Sequence, residues 1–469
     1  MVFSSILFLF YFLPVFLIAY HLIDERYKNL TLLVGSIIFY SWGAPNFILI
    51  ALLSIGLDFY IVKVMDISSQ GKRKLFLWLS LVLNVGLLLY FKYANFFIEN
   101  VNLALGDKGI EWTEIVLPIG LSFFTFQKLS YSIDIYRQGD KPLKNLTDYT
   151  VYILLFPQLI AGPIVRYKEI ATQLINRDTR NYDDKIVGFY RFSIGLAKKV
   201  LLANVLGEKA DIVFSMDVVD LNSSLAWFGV LCYTFQIYFD FSGYSDMAIG
   251  LGRIMGFKFP ENFNSPYISQ SITEFWRRWH ITLGSWMRDY LYIPLGGNRV
   301  KNNFRLYINL WIVFLISGLW HGAAWNFIIW GGYHGVFLIA DRIFLNRLTT
   351  KVGVAGRMTL TFVIVVLGWV LFRADNLNHS FEIYKAMFNL SFVGLGGIIE
   401  DKIFRTLLIC IAISFGFILP KLAEKYDQFM VNTGLGNSLI KGISTILLII
   451  LSASALVSSD FNPFIYFRF

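Results

Sequence analysis

The sequence predicts an all-helical protein that crosses a lipid bilayer many times. Composition carries the first part of that reading: 56% of the 469 residues are hydrophobic and only 16% charged, where a soluble domain carries about 25% charged residues. Apolar runs then recur along the whole chain, from residues 3–20 to residues 443–457, which excludes a soluble enzyme with one anchor. Finally, no stretch is both long and polar enough to form a separate soluble domain. One membrane domain over residues 1–469 is expected, ending in an aromatic tail at 460–469.

Taken in order, the apolar segments are 3–20, 30–60, 75–91, 115–136, 149–163, 186–206, 225–251, 306–340, 360–372, 403–420 and 443–457. The second is long enough for two helices broken near Gly43-Ala44-Pro45. On the criterion of about 20 apolar residues per span, this gives roughly eleven to thirteen membrane segments, some of them re-entrant. Residues 1–20 lack a basic leader and a small-x-small cleavage site, so they read as the first membrane helix rather than a removable signal. The surplus of 41 basic over 32 acidic residues gives a charge of +9. Basic clusters at Arg26/Lys28, Lys63 to Lys74 and Arg137 to Lys144 place these loops in the cytoplasm and the N-terminus outside. Anionic lipid accounts for the basic surplus without nucleic acid. The two cysteines, Cys232 and Cys410, lie in apolar stretches without metal-ligand spacing and read as packing residues.

Residues 306–340 contain no Asp, Glu, Lys or Arg; as one helix they would be about 52 Å long, against a hydrocarbon core of about 30 Å. A break is required, near Gly322 or at Gly331-Gly332. His321 sits in mid-run, and a histidine at membrane depth must be paired or line a wet cavity, which makes it a functional candidate. The alternative is a packing histidine bonded to a backbone carbonyl, the reading that also fits His334. Gly318 and Gly322 form a small-xxx-small pair beside it, open to a neighbouring helix or a thin substrate chain.

A second segment, 271–292, starts with a capping box of Ser271 and Glu274. Phe275, Trp279, Trp286 and Tyr290 recur at helical spacing while Arg277, Arg278 and Arg288 add charge, the pattern of an amphipathic helix at the membrane interface. His280 comes one turn after Trp276 on that helix and shares the turn with Arg277, where an imidazole can assist as a general base. Asp240 and Asp246 are embedded in aromatic surroundings and need partners, with Arg253 or an arginine of the 271–292 helix as candidates. Gly243-x-Ser245 looks like a nucleophile elbow, but Met247 replaces the second glycine and no strand precedes it.

Four stretches resemble a known family, the membrane-bound O-acyltransferases, and within it the branch of the alginate O-acetyltransferase membrane component: 156–166, 240–263, 276–297 with its Trp-Arg-Arg-Trp-His core, and 319–325. The resemblance implies a ring of membrane helices and re-entrant segments around a central funnel. It also implies that His321 is the active-site histidine and general base, that His280 is its second histidine, and that an acyl thioester such as acetyl-CoA is the donor. Trp276, Arg277, Arg278, Trp320, Asn326 and Asp246 are expected to support the pocket. No bound cofactor or metal is required. The tail resembles an F-x-x-F-x-Y-x-x-F sequence of bacterial acyl-export systems, which makes Tyr466 a candidate acyl carrier; the alternative is an aromatic interface anchor. A separate extracytoplasmic acetyltransferase of the SGNH/GDSL type is the implied partner, acetylating a cell-envelope or secreted polysaccharide from the inner membrane of a bacterium. D-alanyl transfer to teichoic acid and acyl transport without chemistry remain open as alternatives.

Overall fold

The computed structural model describes residues 1–106, 109–138, 141–389, 391, 400–459 and 461–463. Among them there are helices and connecting turns and no strand, as predicted. Among the described residues, five helical runs are long and apolar enough to cross a membrane: Pro45–Ile67, Gln70–Leu105, Asn303–His321, Trp325–Arg373 and Leu435–Val457. The bent pair Asp401–Gly416 and Lys421–Val431, with 90° between its halves, makes a sixth if counted as one span. Other expected segments are shorter, as in Leu146–Leu154 followed by Phe156–Leu159, or more polar, as in the 32-residue helix Ser223–Ile254.

The chain divides into two compact units, Met1–Phe189 with Met247–Pro260, and Tyr190–Asp246 with Glu261–Phe469. In the first, the expected break near residue 44 is present: Lys28–Gly43 ends at Ala44, and Pro45 opens a short turn into Ile48–Ile67. A residue before proline is pushed out of the α region, and proline lacks the N–H that would continue the ladder. Asp58, wholly buried in this unit, accepts hydrogen bonds from Ser80 (2.6 Å), Asn84 (2.7 Å) and Tyr149. Such pairing is what a carboxyl group in an apolar interior requires.

The second unit contains both candidate histidines. Its centre is a helical hairpin, Asn303–His321 and Trp325–Ala340, joined through Gly322 to Ala324. Of the two breaks considered for this run, the chain uses Gly322, whose extended backbone (φ −155°, ψ 147°) stops the first helix. Gly331 stays helical because it is needed for packing. A Cβ on Gly331 would collide with the carbonyl of Phe314, and one on Gly318 with the carbonyl of Phe327. The helix that Gly318 admits is therefore the hairpin's own second arm, while Gly322 lies under the Phe327 ring.

The segment from 271 to 292 is not one amphipathic helix. Ile272–Arg278 stops at Trp279, His280 is left-handed (φ 45°, ψ 53°), and Ile281–Met287 starts anew. An extended stretch from elsewhere in the chain causes the break. The N–H of Asn264 donates to the carbonyl of Arg278 (2.9 Å) and the N–H of Ile281 to the carbonyl of Asn262 (3.0 Å), so groups on both sides of the break are satisfied outside any helix. At the start, Ser271 accepts from the N–H of Glu274 (3.1 Å) as a cap should, but Glu274 reaches back to the N–H of Gln270 (2.9 Å) rather than to that of Ser271. The carboxylate of Asp341 takes the N–H of Thr273 (2.7 Å) and fixes the helix entry.

Candidate active site

His321 is the last residue of Asn303–His321 and His280 stands at the break between two short helices, yet their rings come within 6.5 Å, centroid to centroid. Both are buried. Trp320 lies against each, 4.9 Å from His321 and 6.1 Å from His280. Trp330 and Phe372 each stand 5.2 Å from His321, nearly at right angles for Trp330 (87°). Phe241 meets His280 edge-on at 4.7 Å. The pair therefore sits in an aromatic chamber, where charge is weakly screened by water.

His280 is held by Asn262. The Asn262 Oδ1 lies 3.0 Å from His280 Nδ1 and also accepts from the Thr282 N–H (3.3 Å) and hydroxyl (2.9 Å), while its Nδ2 donates to Ser245 (3.1 Å). The amide cannot be flipped without facing a backbone donor with a second donor. Oδ1 only accepts, so the neutral His280 carries its proton on Nδ1 and leaves the lone pair on Nε2. That Nε2 has no hydrogen-bond partner among the described residues. Burial also lowers the pKa of His280 to about 3, so the ring is neutral at ordinary pH.

The other expected pocket residues divide. Trp320 joins the two histidines. Trp276 packs on Trp330 (5.6 Å) and on His334 (4.9 Å), one residue removed from His321. Asn326 donates to the carbonyls of Leu371 (3.3 Å) and Ala374 (2.9 Å), fixing the helix end that carries Phe372. Arg278 is committed to Glu274 (2.9 Å) and the carbonyl of Asn264 (3.1 Å), and Arg277 is exposed, so neither guanidinium belongs to the chamber wall. Tyr466 lies outside the described residues.

Asp246 and Asp240 are paired, as burial demands, but with Lys198, Arg191 and Lys199 rather than with Arg253 or an arginine of the 271–292 segment. Asp246 binds Lys198 (2.7 Å) and Arg191 (2.9 Å), and Asp240 binds Lys199 (3.1 Å). Arg253 instead lies 3.8 Å from Asp184. The cause is a close helix approach: Gly243, midway between the two aspartates, has room for no Cβ, which would fall 2.7 Å from the carbonyl oxygen of Gly195. Lys198 and Lys199 open a π-helical turn, Lys198–Ala203, directly opposite.

Sequence reasoning assigned no role to Asn262, Phe241, Trp330 or Phe372. Asn262 carried a readable signal, an amide between Glu261 and Phe263 within one of the four family-like stretches. The aromatic residues carried none, since nothing separates a chamber wall from ordinary core along a chain that is 17% aromatic.

Comparison with known proteins agrees in kind. The profile of the MBOAT, membrane-bound O-acyltransferase family, matches residues 37–373, a span that includes both histidines. The probable alginate O-acetylase of Pseudomonas aeruginosa is 47% identical over 83% of this chain and 75% of its own length. That of Azotobacter vinelandii is 41% identical over the full length of both. The peptidoglycan O-acetyltransferase of Helicobacter pylori is 39% identical over 84% of this chain and 81% of its own.

Proposed function

The chain belongs to the membrane-bound O-acyltransferase family, and from that premise we propose that it draws acetyl groups from a cytoplasmic thioester and delivers them across the inner membrane of a bacterium for O-acetylation of an envelope or secreted polysaccharide. That it is a multi-pass membrane O-acyltransferase follows from the family and from its apolar helices. The observation that carries the mechanism is the pair of buried imidazoles, 6.5 Å apart inside an aromatic wall.

His321 serves as general base. It takes the proton of an attacking hydroxyl as the new C–O bond forms. The C–S bond of acetyl-CoA then breaks, and the thiolate leaves with the proton returned by the imidazolium. Its place at the carbonyl end of a helix stabilises the positive charge that appears in this step. His280, held neutral with Nε2 unprotonated, accepts a hydrogen bond within the same chamber and keeps the reacting groups in register. The first acceptor is the hydroxyl of Tyr466, which passes acetyl to a separate extracytoplasmic acetyltransferase of the SGNH/GDSL type.

Relatives named for alginate and peptidoglycan O-acetylation support acetyl as the cargo. The teichoic acid D-alanyltransferase of Bacillus subtilis is 30% identical over 56% of this chain, a weaker basis for a D-alanyl cargo. The test uses proteoliposomes and acetyl-labelled acetyl-CoA. The intact chain should release CoA and retain label, His321→Ala should do neither, and Tyr466→Phe should lose the retained label. Normal CoA release by His321→Ala would overturn the assignment.

A further inference from the structure

The C-terminal segment is anchored at Asn462 and Pro463. The carbonyl oxygen of Pro463 accepts a hydrogen bond from Lys199 Nζ, and Asn462 Oδ1 accepts one from the Asn204 side chain (3.2 Å). Lys199 is simultaneously paired with Asp240 at 3.1 Å, and the two side chains are 3% and 0% exposed. We infer that the Lys199–Asp240 couple, with Asn204 beside it, is a clamp that fixes the C-terminal segment at Asn462-Pro463.

A buried ion pair is weak evidence for stability, because desolvation of both charges offsets most of their attraction. Here the ammonium group does something a hydrophobic pair could not. It has three donors, one spent on Asp240 and another on the main-chain carbonyl of the half-buried Pro463. A π-helical turn is also where a helix departs from regular packing, and such turns occur often at functional positions. Lys198–Ala203 is such a turn, and Asn204 is the residue after it.

Asp240 gives the clamp its address. The next residue, Phe241, has its ring 4.7 Å from that of His280, so the clamp and the contact with the second histidine occupy neighbouring positions along one helix, Ser223–Ile254. Tyr466 is three residues past Pro463, and three residues span at most about 11 Å. The clamp therefore fixes the point from which the chain continues to that residue. This functional consequence rests on the carrier reading of Tyr466; the clamp itself does not.

Hydrogen exchange on the full-length protein in detergent separates the two. Peptides spanning Asn462-Pro463 should exchange slowly in the parent. In Lys199→Met/Asp240→Asn, which removes both charges together, they should exchange at least ten-fold faster, with the helix Ser223–Ile254 unchanged. Asn204→Ala leaves the charges intact, cannot disturb the pair's balance, and should accelerate exchange of the same peptides about three-fold. Lys199→Arg should restore slow exchange. If tail exchange is unaltered in both Asn204→Ala and the double variant, or in Asn204→Ala alone should the double variant fail to fold, the clamp is overturned. Acetyl label retained on the chain should fall in parallel with the loss of protection. If Tyr466→Phe keeps full label while the clamp variants free the tail, the carrier reading fails and the clamp stands.

Discussion

The ring of His321 faces that of His280 across 6.5 Å at 57°, although one ends a long apolar helix and the other sits in a left-handed break forty-one residues earlier. That separation is too great for a direct hydrogen bond between rings and suits a small group held between them. On the proposed mechanism the two imidazoles serve one reacting centre, and their losses should not add.

His321→Ala should lower CoA release by about 10³-fold, within the range for loss of a general base. His280→Ala should cost about 10²-fold. The double variant should be no worse than His321→Ala alone, since groups that work as a unit are non-additive. Turnover in proteoliposomes measures all three, and a double loss equal to the product of the singles would mean that the rings act independently.

Asn262 should matter through the tautomer it imposes. Asn262→Leu removes the acceptor facing His280 Nδ1 and should cut turnover by about 10²-fold, whereas Asn262→Asp keeps an acceptor there and should retain more activity. Nitrogen chemical shifts of labelled histidine should show protonated Nδ1 in the parent and a tautomer mixture in Asn262→Leu.

His280 lies outside the spanning helices, and its burial makes a pH dependence. Its folded-state pKa of about 3 lies below the usual 6.5, so the unfolded chain binds the extra proton between those values. Stability from the neutral ring is therefore full above pH 6.5 and is lost as pH falls toward 3. Thermal midpoints recorded from pH 7.5 to 4.5 should drop more in the parent than in His280→Gln; parallel curves would contradict a neutral buried ring.

Gly243→Ala should force apart two helices whose contact admits no Cβ. Overpacking of this kind costs about 1–3 kcal/mol, and here it also strains both lysine–aspartate pairs. A lowered unfolding midpoint in detergent, with activity lost at a lower temperature, is the expected result.

Much of the second unit was legible along the chain. The 306–340 run had to break because its length exceeded a bilayer, and glycine beside His321 marked the place. Ala44-Pro45 marked another break for reasons internal to three residues. The break at Trp279-His280 was hidden, because the groups that stabilise it come from Asn262 and Asn264, and the helical spacing of Phe275, Trp279, Trp286 and Tyr290 pointed the other way. That Asp240 and Asp246 needed partners was evident from burial alone. Which cations would answer depended on the phase of two helices at Gly243, a property of packing that no single segment carries.

The Asp240–Gly243–Asp246 spacing also has a consequence for biosynthesis. Lys198 and Lys199 are made well before the carboxylates that neutralise them, Asp246 and Asp240, in a later helix. A lone lysine at the centre of a nascent membrane helix costs about 2.5–3.5 kcal/mol to partition into lipid, and here two are adjacent. The first helix is thus poorly suited to enter the bilayer by itself. The positive charges at Lys198 and Lys199 are buried without a free cation only once Ser223–Ile254 has packed against them with Asp240 and Asp246.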